Sequence, residues 1–267
     1  MVAMETIGLI AAMSSESEAL LRCIKGWNRT MLGPFRGAHF QLMDRDCLLV
    51  TSGMGLKRAM DATRTLLTAS SPHLLVSFGI AGAVNADLQI GDVVVAGNTC
   101  LLENGLPGIS QPLASLSDTA WNAAARVLHP EGVRLVHGTA ITTRGSQVVP
   151  QQLGEIANPI LEMETAGIAH VAAEKGIPFL SLRSISDGPR SPIPLDLEAV
   201  MDNEYNFRIG ELIKTVLHHP EIILKSRQML QNSRKAADHA AMALVAALSQ
   251  PSPIISPERF LLRYGGG

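Results

Sequence analysis

Apolar runs of strand length alternate with stretches of helical spacing along most of the chain. Residues 6–13 are one such run, and Ser15 with Glu18 three places on forms a capping box that opens a helix towards Ile24. Residues 38–43 and 47–51, joined by the polar turn Asp44-Arg45-Asp46, predict a hairpin. A helical stretch over 56–69 follows, then Pro72 and a buried strand over 74–78. Residues 92–96 and 133–142 read as further strands, with helical spacing over 117–128 between them. A strand over 159–163 leads into a helix over 164–175, which Gly176-Ile177-Pro178 ends before a strand over 179–185.

Strands alternating with helices predict an α/β domain with a largely parallel central sheet, in which ligands gather where strands end and loops begin. From about Leu195 the pattern becomes helical only, over 205–217 and then 220–248, the second read as an amphipathic helix docked on the core. The Pro- and Ser-rich stretch 249–257 reads as a linker, which gives a domain over 1–249 and a flexible tail over 250–267 ending in Gly265-Gly266-Gly267.

Composition narrows the function. Of 267 residues 46% are hydrophobic and 17% charged, a globular balance with enough apolar surface for one large core. A net charge of −2 and an aromatic content of 4% remove both the positive field and the stacking platforms that nucleic-acid binding needs. No run approaches the roughly 20 apolar residues of a membrane span. Cys23, Cys47 and Cys100 are too far apart for a CxxC pair or a zinc knuckle, so a reducing cytoplasm is the expected setting and no metal is expected.

Two glycine clusters follow strands. Gly53-Met54-Gly55 sits where a dinucleotide fingerprint would lie, but Arg58 takes the place of the third glycine and no acidic residue stands between Asp61 and Asp87 to hold a ribose hydroxyl. A tight turn explains these glycines without a cofactor. In Gly79-Ile80-Ala81-Gly82 the small residues let a ligand approach backbone N–H groups.

Four segments carry a resemblance: IGLIAAMSSE (residues 7–16), the GMG loop, SFGIAGAV with IGDVVVA (within 77–96), and LEMETAGIAHVAAEKGIPFLSLRSISD (161–187). In order, spacing and wording they resemble the nucleoside phosphorylase and nucleosidase superfamily over roughly residues 5 to 190. The first and last are most similar to methylthioadenosine/S-adenosylhomocysteine nucleosidases; residues 223–234 look closer to the hopanoid-associated phosphorylases. The resemblance implies a single three-layer α/β domain with a mixed, largely parallel sheet, phosphorylase/hydrolase-like, plus C-terminal helices. It also implies cleavage of the N-glycosidic bond of a purine nucleoside, with no metal or organic cofactor, in a homodimer.

Breaking that bond requires a cationic ribosyl group to be tolerated and the departing base to receive a proton. By resemblance Asp187 is the leaving-group acid, Glu16 the base that activates water and Arg183 the residue that helps place the water. Glu164 would hold the ribose hydroxyls, with Glu162 on the neighbouring face as its partner in sugar binding, Met163 would lie beneath the sugar, and Ile80, Ala81 and Gly82 would form the loop facing the ligand. Taken alone, Asp187 reads equally as a turn cap, and Glu16 and Glu164 as acids at helix starts. Two positions depart from the nucleosidases: Ile80 replaces a serine hydroxyl, and Arg144-Gly145-Ser146-Gln147 stands where apolar residues face the purine.

Hydrolysis is the expected reaction, because an ionised Glu16 near the acceptor repels a phosphate dianion. Phosphorolysis, with inorganic phosphate as co-substrate held by Lys57, Arg58 or Arg144, is the alternative, and a nucleoside-binding protein without turnover is another. Leu197, Val200, Met201, Phe207, Ile209, Leu212 and Ile213 are expected either to line an apolar groove for a large 5′ substituent, such as that of adenosylhopane, or to pack as core.

Overall fold

The apolar runs become strands of one mixed sheet, and those at its centre, such as 74–79 and 179–186, are buried along their whole length. The computed structural model describes residues 5–103, 105–143, 153, 156–189 and 221–256. Along them lie β1 (Glu5–Ala11), α1 (Ser14–Arg22), β2 (Trp27–Leu32), β3 (Phe35–Leu42), β4 (Arg45–Thr51), α2 (Leu56–Ala69), β5 (Leu74–Ala83) and β6 (Val93–Glu103). Then come the short strands β7 (Leu106–Pro107), β8 (Gln111–Pro112) and β9 (Ser115–Leu116), followed by α3 (Asp118–Leu128), β10 (Leu135–Thr142) and β11 (Pro159–Glu162). The series ends with α4 (Thr165–Lys175), β12 (Phe179–Asp187), α5 (Glu221–Leu248) and β13 (Ile254–Ile255).

The sheet runs β11-β10-β6-β12-β5-β1-β4-β3-β2. The joins β11–β10, β10–β6, β12–β5, β5–β1 and β1–β4 are parallel, and β6–β12, β4–β3 and β3–β2 are antiparallel. Helices cover both faces: Ala59, Ala62 and Leu66 of α2 pack with Ile168 and Ala172 of α4 on one, and Leu20, Ala124 and Leu128 of α1 and α3 pack with Ala240 and Leu244 of α5 on the other. This is the expected three-layer α/β architecture. The alanine-rich buried face of α5 lets the helix lie close against the strands, as a docked amphipathic helix does.

Two expectations change, and one strand lies where none was predicted. The capping box at α1 is shifted: Met13 is the N-cap, and Glu16, not Glu18, reaches back to accept the Met13 N–H at 2.8 Å. Strand β2 gave no alternating signal, since most of its side chains face solvent at the sheet edge. The chain also does not leave the body at residue 250. The buried Arg45 donates to Leu248 O (2.8 Å) and Pro251 O (2.7 Å), satisfying carbonyls that the end of α5 leaves open. Ile254 and Ile255 then pair antiparallel with Leu116 and Ser115. The predicted helix over 205–217, the stretch 144–147, the seven groove residues and the terminal glycines lie outside the described residues.

Candidate active site

Strand β5 changes partners along one edge. Its first residues pair with β1 up to Ile10↔Ser77, while Gly82 and Ala83 pair antiparallel with β11. Between them, residues 78–81 pair only with β12. The contact with β11 also closes β5, β12, β6, β10 and β11 into a ring. A break in strand pairing exposes backbone N–H groups that something else must satisfy.

Glu16 fills that break. Its Oε1 accepts the Ile80 N–H at 2.9 Å and its Oε2 the Met13 N–H. Gly79 is required here, because a Cβ at that position would overlap Glu16 Oε1. Burial pushes the Glu16 carboxyl above its ordinary range, against the pull of the Arg183 guanidinium and the backbone N–H groups. A buried carboxyl of raised pKa is a stronger base when ionised.

Arg183 enters from the middle of β12 and is 2% exposed. Its Nη2 donates to Ser77 Oγ (2.7 Å), Glu162 Oε2 (3.2 Å) and Thr165 Oγ1 (3.3 Å). Glu162 ends β11 and also accepts the N–H groups of Glu164 (3.0 Å) and Thr165 (2.7 Å), so its charge sits against the first turn of α4.

Glu164 is the N-cap residue of α4 and points the other way, its Oε1 accepting the Gly55 N–H at 2.9 Å. Gly55 has φ +102° and Gly53 φ +82°, which accounts for both glycines of the GMG loop by backbone conformation. Burial raises the Glu164 carboxyl to about 8; the Glu162 and Glu16 charges add to the rise, while Arg183 and the Gly55 N–H oppose it. Met163, between the two glutamates, is half-buried.

Asp187 closes β12 opposite Gly82. Ser186 Oγ donates to its Oδ1 at 2.6 Å, and a Cβ on Gly82 would stand 2.7 Å from its Oδ2, so the glycine makes room for the acid. Burial lifts the Asp187 carboxyl, opposed by the Ser186 hydroxyl. Ile80 and Gly82 are half-buried and Ala81 is buried on the same segment of β5. Of the three cations considered for phosphate, Lys57 pairs with Asp61 at 2.8 Å, Arg58 lies over Gly53, and Arg144 lies outside the described residues.

Three members of this cluster were not singled out from the sequence, Ser77, Thr142 and Thr165, and none of them carries a signal there; Gly55 and Gly79 belong to the two glycine clusters already read. Among the described residues no group of three or more His, Cys, Asp or Glu is placed to hold a metal, and no helix is long and apolar enough to cross a membrane.

Buried Glu16, Glu162, Glu164 and Arg183 and the half-buried Asp187 thus line one seam of a mixed α/β sheet, a set of carboxyl groups around one guanidinium of the kind that glycosyl-transferring and glycosyl-hydrolysing enzymes use. Residues 6–216 match the Phosphorylase superfamily, and the chain belongs to it. A relative from Shewanella halifaxensis, a 5′-methylthioadenosine/S-adenosylhomocysteine nucleosidase by name, is 27% identical over 207 residues, covering 72% of this chain and 90% of its own. One from Listeria innocua with the same name is 30% identical over 203 residues, covering 68% and 86%. Among solved structures, the nucleosidase of that name from Colwellia psychrerythraea, in complex with adenine, has a TM-score of 0.69 at 20% identity, covering 94% of this chain and 98% of its own. Futalosine hydrolase of Helicobacter pylori has a TM-score of 0.65 at 20% identity, covering 91% and 97%. These structural likenesses speak for the fold.

Proposed function

We propose that this protein hydrolyses the N-glycosidic bond of a 5′-substituted adenosine, of the methylthioadenosine and S-adenosylhomocysteine type after which its relatives are named, and releases adenine. The observation that carries the reading is the joint presence, on one seam, of a buried base with its arginine and of a separate acid. Binding alone needs no such pair, which counts against a protein without turnover.

The roles are those that the family resemblance implies, and the clustering of these residues on one seam supports them. Water held by Glu16 and Arg183 attacks C1′ and gives its proton to Glu16. The C1′–N9 bond breaks, its electron pair enters the purine, and the Asp187 proton goes to N7. Ionised Glu164 accepts hydrogen bonds from the ribose hydroxyls, which strengthen as positive charge grows on the sugar. Met163 lies below the ribose, and Ile80, Ala81 and Gly82 border the ligand.

Water rather than phosphate is the acceptor because Glu16 already occupies the Ile80 N–H, and its charge repels a dianion in a site with little solvent. The reaction uses no organic cofactor or metal. A large apolar 5′ group, as in adenosylhopane, is the preferred substituent, on the strength of the apolar residues between 197 and 213. The enzyme works in the cytoplasm as a homodimer; the exposed Leu106 and Ile109 beside the short strands β7 and β8 support a partner surface.

Adenine release from methylthioadenosine, S-adenosylhomocysteine and longer alkylthio adenosines, with inosine as comparison, tests the reading. Efficiency rising with the 5′ group is expected. A flat series would remove the apolar preference, and no adenine from any of them would overturn the whole reading.

A further inference from the structure

Glu162 and Glu164 are two residues apart, yet their carboxylates have opposite surroundings. Glu162 Oε2 accepts from the N–H groups of Glu164 and Thr165, from the Thr165 hydroxyl (2.7 Å) and from the Arg183 guanidinium. The Thr142 hydroxyl closes on Oε1, while its own oxygen accepts the Ala166 N–H at 2.8 Å, which directs its hydrogen to the carboxylate. A carboxylate offers about four lone-pair sites. Four donors converge on Oε2 and saturate it, and Oε1 is engaged by the Thr142 hydroxyl, so the carboxylate is committed to the protein at both oxygens. Glu164, by contrast, accepts one hydrogen bond among the described residues, from Gly55, and keeps the rest of its capacity.

We propose that Glu162 is a positioning residue that ties Arg183 on β12 to the first turn of α4, and so sets the Glu16–Arg183 water site at a fixed distance from Glu164 without touching substrate. The inference rests on the hydrolytic reading and departs from the expectation that Glu162 shares in sugar binding. Its partners support a bridging role: Arg183 is shared among Glu162, Ser77 and Thr165, and Thr165 Oγ1 lies 3.2 Å from Ser181 Oγ, so strands β5 and β12 and helix α4 meet at one carboxylate. Loosening that junction displaces the groups facing the water while leaving the sugar contacts of Glu164 in place.

The test is Glu162→Gln assayed on matched ribonucleoside and 2′-deoxynucleoside substrates, with Glu164→Gln alongside. A positioning role predicts that kcat falls about 10²-fold, the cost of misplaced reacting groups, with KM nearly unchanged and the same factor for both substrates. Glu164→Gln, which removes a sugar ligand, loses much less on the 2′-deoxy substrate. A loss at Glu162 that shrinks with the 2′-deoxy substrate, or that falls on KM, overturns the proposal. If Glu162→Gln does not fold, Thr165→Val removes one donor and keeps the charge; a fall in kcat of about 10-fold at constant KM supports the junction, and unchanged kcat overturns it. Failure of the unmodified enzyme to release adenine would sink the hydrolytic reading instead. The junction is then read from a crystal structure of the variant: Arg183 departing from Ser77 and Thr165 supports it, and an unmoved Arg183 overturns it.

Discussion

At the Arg183 end of the β5–β12 seam, Glu16, Glu162, Glu164 and Arg183 are each no more than 7% exposed, and backbone N–H groups or hydroxyls from several elements hold them. Four residues along β12, Asp187 is half-buried, with one hydrogen bond from its neighbour Ser186, and it borders a cavity of about 340 Å³ whose walls include Leu88, Gln89 and Ile185. Both ends raise carboxyl pKa values by burial, but only one is fixed in place. The difference matches the two tasks proposed above for these groups. A group that holds an attacking water benefits from preorganised surroundings, whereas an acid spent in each turnover must be reprotonated, and the space beside Asp187 leaves room for water.

The comparison breaks most readily at the open end. Asp187→Asn removes the proposed proton donor and little else, so kcat should fall by about 10² to 10⁴ with substrate affinity retained, as single-turnover adenine release and ligand titration would measure. Unchanged turnover would remove Asp187 from the reaction. At the closed end, Gly79→Ala drives a methyl group into Glu16 Oε1 and should cost about 10²-fold in kcat, because the base must move. Near-normal kcat in that variant would mean that the fixed position of Glu16 does not matter.

Glu164 gives the pH dependence. Its folded value of about 8 lies above the ordinary 4.5, so its contribution to stability is complete below about 4.5 and is lost as pH rises through about 8. In the proposed reaction substrate binding needs the ionised form and so runs the other way, with KM expected to fall as pH rises through that value. Glu164→Gln should flatten both the Tm–pH curve and the KM–pH curve in this window; a persisting slope would assign it to another group.

The smallest effect on chemistry is expected farthest from the seam. Arg45→Ala uncaps α5 and the segment beyond it, and should lower stability by about 1–3 kcal/mol in urea unfolding, with kcat per folded molecule unchanged. A matching loss of kcat would show that the docked C-terminal segment reaches the site.

Periodicity made the alternating elements legible: the helix over 56–69 has the predicted bounds, and the hairpin of β3 and β4 forms, although it turns at Met43-Asp44, with Arg45 and Asp46 already paired in β4. It was silent on β2, whose side chains mostly face solvent, and on β7 to β9, which are too short to carry a period. The ionisable members of the site could be read because EMET and RSISD are specific wording. Their supports could not. Ser77 lies inside an apolar strand and meets Arg183 across 106 positions, and Thr142 meets Glu162 across 20, so spacing gives no hint of either. The shifted capping box shows the same limit: Ser15 and Glu18 have the right types, but the break beside Ile80 gives Glu16 a second partner that local pattern cannot reveal.

The central claim is that Glu16, seated on the Ile80 N–H, makes water the acceptor. Its most direct test is the sugar product of methylthioadenosine cleavage, identified by mass spectrometry across a titration of inorganic phosphate. The account predicts free methylthioribose at every concentration, with a rate indifferent to phosphate; methylthioribose 1-phosphate, formed at a rate that rises with phosphate, would contradict it.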